Sequence, residues 1–233
     1  SNRVLLNELM GTIEYGYQDL TAVARLTTEY NCWVVRADSK YKTALDVLAD
    51  LQKDPTSVTF GVGTVPSNDQ FNTMLPAKQK GVDYRKIKIV AFDAGGDAMA
   101  KLLGNHVPIL STGFSEAVTQ AEAGKVRILS VSSPAKLERA PNVPCWKDLG
   151  IDLAIYHWRG IYGPPEMPKE AYDYWNKKFA AMVKTKTWKQ SLEKFELFDA
   201  FLPGDEFRKE LAKDHETYKE LLGTMGMLKK GTK

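Results

Sequence analysis

Three segments of the sequence place glycines and hydroxyl side chains where a strand-like run gives way to a helical one. They are Phe60-Gly-Val-Gly-Thr-Val-Pro-Ser-Asn-Asp69, Ala91-Phe-Asp-Ala-Gly-Gly-Asp97 and Ser111-Thr-Gly-Phe-Ser-Glu116. Open backbone N–H groups and the positive end of a helix dipole make such junctions anion sites. The candidate ligand-binding residues are Gly63, Thr64, Ser67 and Asn68 in the first segment, Asp93 and Gly96 around the second, and Ser115 in the third. A plain helix cap also accounts for Ser67. The Gly95-Gly96 pair lacks the following Lys-Ser/Thr of a nucleotide loop, which argues against nucleotide binding. A fourth segment, Tyr156-His-Trp-Arg-Gly160, sets the donor fork of Arg159, suited to a carboxylate, beside the flat wall of Trp158. A surface arginine next to a core tryptophan is the competing reading of that pair.

Catalysis finds no such support. The sequence has no Gly-x-Ser-x-Gly elbow and no His-Glu-x-x-His, and His106, His157 and His215 stand in unrelated contexts. No nucleophile, base and orienting group assemble from these residues, so the chain is expected not to be an enzyme and to need no cofactor. Cys32 and Cys145 are too few and too far apart for a metal site or a disulfide framework.

Behind these loops the sequence alternates strands and helices, the pattern of an α/β protein with mixed, mostly parallel sheets. Strands are expected at 31–36, 58–61, 88–92, 106–110 and 126–131. Helices are expected at 43–54, opened by Thr43, and at 67–79, 96–105, 114–123, 145–149, 169–184 and 204–222. Pro76 should kink or shorten the second of these, and Gly124 should end the fourth. The last should bury Phe207, Leu211, Tyr218 and Leu221 along one stripe and leave His215 in solvent. In an open α/β sheet, ligands lie beyond the carboxyl ends of the strands, so the three loops are expected to converge on one cleft.

The 233 residues, 43% hydrophobic and 26% charged, describe an ordinary globular chain. A net charge of +3, spread without basic runs, argues against a nucleic-acid partner. No apolar run reaches the roughly 20 residues of a bilayer span, and no signal-peptide pattern opens the sequence.

The ordered motifs resemble one family. They are Phe60-Gly-x-Gly-Thr with Ser67-Asn68-Asp69, then Phe92-Asp93-Ala-Gly-Gly-Asp97 leading to Gly104-x-His106, then Ser115-Glu116 leading to Glu122-Ala-Gly-Lys125-x-Arg127. Val143-Pro144, Trp158-Arg159-Gly160, Gly163-Pro164-Pro165 and Leu202-Pro203 follow in order. The series is similar to that of the tripartite tricarboxylate transporter receptors, the Bug solute-binding family. The resemblance implies a type II two-lobed periplasmic-binding-protein fold, with 1–37 and 160–233 in the first lobe and 38–159 in the second. It also implies a periplasmic or extracytoplasmic monomer that captures a small di- or tricarboxylate and delivers it to integral-membrane permease subunits. Two departures stand out. The strand, Gly-rich loop and helix that open family members match nothing here, so the first lobe is expected to be truncated at its N-terminus and this stretch alone to bind weakly. Gln70 and Pro66 also stand where the family often has His and Gly. The effector domain of a transcription regulator, which shares the two-lobed fold, is the alternative reading.

Overall fold

The computed structural model describes residues 2–93 and 95–229. Along the chain lie α1 (Arg3–Met10), β1 (Thr21–Arg36), α2 (Ala44–Lys53), β2 (Thr59–Val62), α3 (Asn68–Gln79), β3 (Lys88–Ala91), α4 (Gly95–Leu103), β4 (Ile109–Gly113), α5 (Phe114–Glu122) and β5 (Val126–Val131). After them come β6 (Tyr156–Gly163), α6 (Lys169–Met182), α7 (Lys186–Phe195), β7 (Phe198–Pro203) and α8 (Gly204–Thr224). The chain forms two compact units, Glu29–Tyr156 and Ser1–Thr28 with His157–Lys233.

In the unit Glu29–Tyr156 the strand order is β3-β2-β4-β1-β5. β2 runs parallel to β3 and β4, whereas β1 is antiparallel to both β4 and β5, so the sheet is mixed. At Gly61 on β2 a Cβ would press on the side-chain ends of Leu110 and Phe92. α2 opens as its sequence suggests: Thr43 Oγ1 accepts the Asp46 N–H at 3.2 Å, and the Asp46 carboxylate accepts the Thr43 N–H at 2.8 Å. Gly124, at φ +68°, follows α5 in the left-handed conformation that glycine adopts freely.

The core of this unit centres on Trp33, whose ring meets Trp146 edge-on at 4.7 Å and Phe60 at 4.9 Å. Both indoles end on Asn72, a fully buried residue of α3. Trp33 donates to its main-chain carbonyl at 2.9 Å, Trp146 to its Oδ1 at 2.8 Å, and its own NH2 donates to Ser111 Oγ at 3.1 Å. Pro76 makes this possible. Lacking an N–H, it cannot close the helical bond to the carbonyl four residues earlier, and the Trp33 indole takes that carbonyl instead. α3 therefore runs past Pro76 to Gln79 rather than stopping at the proline.

The other unit pairs β6 and β7 with the first half of β1; Ala24 faces Pro203 and Thr28 faces Phe198. α1 buries Leu5, Leu6 and Leu9, and α8 buries Phe207, Leu211, Tyr218 and Leu222. Leu222 replaces the expected Leu221 because a stripe at 207, 211 and 218 continues to 222 at helical spacing. His215 is not in solvent: its side chain is 16% exposed, with Nε2 3.6 Å from Glu8 and its ring 5.2 Å from that of Tyr17.

β1 begins ten residues earlier than the expected strand start, at Thr21 instead of Asn31. The units meet in the chain at Thr28/Glu29 and Tyr156/His157. A single strand whose two halves pair with different neighbours leaves no break in composition to mark the change.

Candidate functional site

Since β3, β2 and β4 are parallel neighbours, their carboxyl ends and the starts of α4, α3 and α5 lie along one edge of the sheet. The three junctions singled out from the sequence are thereby brought side by side. At the central one Ser67 caps α3, accepting the Gln70 N–H at 3.3 Å while donating to the Thr64 carbonyl at 2.6 Å. Thr64 is exposed, and Asn68, 4% exposed, donates through Nδ2 to the Tyr156 carbonyl at 2.9 Å. Asn68 thus anchors the loop, and the outward-facing member of the set is Thr64.

This edge also carries acids that sequence reasoning did not place in the site: Glu29 is buried, Asp69 half-buried and Glu116 exposed. The Asp69 carboxylate receives the Gly63 N–H at 3.0 Å and the Asn31 side-chain NH2 at 2.6 Å. Burial, together with the neighbouring charges of Glu116 and Glu29, pushes its pKa up to about 7 against the pull of those two donors. At the next junction Ser115 donates to Glu29 Oε1 and Thr112 donates to Glu116 Oε2. A Cβ at Gly113, the cap of α5, would strike the same Glu29 oxygen, so that carboxylate lies directly on the helix start. Gly63 and Ser115, expected to face a ligand, therefore give the donors observed here to side chains of the chain itself. The available signal was the acidic residue that ends each motif, Asp69 and Glu116; Glu29 gave none, being distant in sequence and brought close by the antiparallel pairing of β1 with β4, where Asn31 faces Gly113.

Cys32, on the same stretch of β1, is fully buried with Sγ 3.9 Å from the Gly113 carbonyl. Burial first, and then the charges of Glu116, Asp69 and Glu29, push its thiol pKa well up. It is a free cysteine, as is the buried Cys145. Asp93 and Gly96 are both exposed at the β3–α4 junction, flanking Ala94, which lies outside the described residues.

Trp158 and Arg159 belong to the other unit and point to opposite faces of β6, as successive strand residues must. Trp158 is fully buried, meets Phe207 edge-on at 5.0 Å and donates to Asp214 Oδ2 at 2.7 Å. Its ring is core, contrary to the expectation of a ligand wall: the strand alternation that exposes Arg159 turns Trp158 inward. His157 Nε2 is buried without a hydrogen-bond partner, and burial, aided by the charge of Arg159, lowers the imidazole pKa to about 4. Burial likewise raises the phenol of Tyr162, with Asp214 and Glu8 adding to the shift.

Among the described residues no three His, Cys, Asp or Glu side chains are placed to hold a metal ion, and no helix is long and apolar enough to cross a membrane.

Residues 5–225 match the family described as tripartite tricarboxylate transporter family receptor. A UPF0065 protein of Agrobacterium vitis is 28% identical over 153 residues, which is 65% of this chain and 43% of that protein. The match thus spans less than half the length of this relative. Among solved structures, a TctC solute-binding protein from Polaromonas superposes with a TM-score of 0.81 at 24% identity, covering 95% of this chain and 75% of that one. A Rhodopseudomonas palustris protein, MatC, solved with bound malate, gives a TM-score of 0.76 at 15% identity, with coverages of 94% and 75%. Both structural likenesses establish the fold, α/β with a mixed sheet.

Proposed function

The chain belongs to the tripartite tricarboxylate transporter receptor family, and from that premise we propose that it captures a small organic acid outside the cytoplasm and passes it to a membrane permease. Its family and fold are those of solute-binding receptors. The observation that carries the ligand class is the β2–α3 junction, where an exposed Thr64 and a capped helix start present donors beyond the carboxyl ends of three parallel strands. The malate bound in one structural neighbour supports the same class. In this reading Thr64, Ser67 and the first turn of α3 grip one carboxylate.

Thermal denaturation with a panel of mono-, di- and tricarboxylates, each raised to millimolar concentration, tests the assignment. A ligand that binds the folded state raises the melting temperature in proportion to its occupancy. If no carboxylate moves the transition and calorimetry detects no heat of binding, the assignment fails.

A further inference from the structure

The junction proposed to hold a ligand carboxylate already carries acid of its own. Asp69 stands in the first turn of α3, two residues beyond the cap Ser67, where the helix dipole favours an anion. A further anion brought to the same turn meets like charge. Glu29, 9% exposed and bound by Ser115, adds a second acid, and Glu116, bound by Thr112, adds a third. Their mutual field is visible in the raised pKa values of both Asp69 and Cys32. For a receptor of plain carboxylates this is the wrong sign of charge.

Asn31 supplies an independent sign of what is lacking. The residue is 4% exposed, and its NH2 is fixed on Asp69 Oδ1 at 2.6 Å, which holds the amide against the acids. Its Oδ1 is buried and has no hydrogen-bond partner. A buried acceptor without a donor is costly, and most such atoms in folded proteins are satisfied. The acids call for a positive charge and Asn31 calls for a donor. A protonated amine is both.

Building on the carboxylate-receptor reading, we infer that Asp69, Glu29 and Asn31 form a subsite for a protonated amine, so that the ligand is an amino-bearing carboxylate. The anion donors and Asp69 share one short run of chain, Gly63 to Asp69. Ammonium and carboxylate groups on the same or adjacent carbon atoms suit so close a pair of subsites. Glu116 strengthens the field from the neighbouring junction and keeps its bond to Thr112.

Calorimetric titration at neutral pH with matched pairs, aspartate against succinate and glutamate against glutarate, tests this directly. The amino member of a pair should bind about tenfold more tightly or better, the worth of a charge-assisted hydrogen bond. Asp69→Asn and the near-isosteric Glu29→Gln should each bring that ratio towards one, and either variant suffices if the other fails to fold. Equal binding within both pairs, or a ratio unchanged in the folded variants, overturns the amine subsite and leaves the carboxylate reading standing. Absence of binding by all four compounds overturns both.

Discussion

The indole N–H of Trp33 donates to the Asn72 carbonyl at 2.9 Å, filling the place in the helix that Pro76 cannot fill. The two substitutions Trp33→Phe and Pro76→Ala should therefore be coupled. With Pro76 present, Trp33→Phe leaves a buried carbonyl unpaired and costs about 1–3 kcal/mol for that alone. In the Pro76→Ala background the new backbone N–H takes the carbonyl, and the same change costs less. A double-mutant cycle by urea denaturation should give a coupling of about 1 kcal/mol; additive losses would mean that the indole bond and the proline act separately.

Asp69 makes stability depend on pH in an unusual direction for an aspartate. Its folded pKa, about 7, lies above the ordinary 3.8, so between those values the folded chain holds more protons than the unfolded one. The contribution is complete below the ordinary value and is lost as pH rises through about 7. The melting temperature of Asp69→Asn, compared with that of the wild type from acid to mildly alkaline pH, should gain on the wild type as the solution is made alkaline. A constant difference would contradict the assignment.

His157 acts with the opposite slope. Its folded pKa of about 4 lies below the ordinary 6.5, so its contribution is intact above the ordinary value and disappears as pH falls towards about 4. The imidazole C–H resonances should titrate well below those of a free histidine. An ordinary titration midpoint would place the ring in water.

Ser67 can be separated into its cap and its charge environment. Ser67→Ala should cost about 1 kcal/mol of stability by removing the cap. Ser67→Asp keeps a good cap and sets a carboxylate where the ligand's own is proposed to lie, so stability should hold while binding of every carboxylate drops. Unimpaired binding by the aspartate variant would place the ligand elsewhere.

The parallel half of the sheet was legible in the sequence because each of its strands is a short apolar run that ends in a glycine-bearing loop and a helix. Thr43, Ser67 and Gly124 mark their helices by local chemistry, and all three stand where local chemistry puts them. What was not legible depends on partners far along the chain. Pro76 reads as a breaker until Trp33 is seen to take its vacant bond. α1, β6, α7 and β7 went unassigned: neither α7 nor β7 contains a fully buried residue to impose a pattern, β6 buries only Trp158, and α1 is only eight residues long. The site was half visible in the same sense. Its hydroxyls and glycines are contiguous in sequence, whereas the acid from β1 that occupies the α5 start arrives through strand pairing.

The place of Cys32 gives the molecule a built-in clock. Its strand lies between β4 and β5, with Thr112 on one side of the residue and Val131 on the other, and neither face offers its sulfur to solvent. A thiol reagent can reach the sulfur only while the middle of the sheet is open. In a Cys145→Ser background the rate of alkylation therefore counts those openings one by one, and a bound solute would be heard as a slower tick.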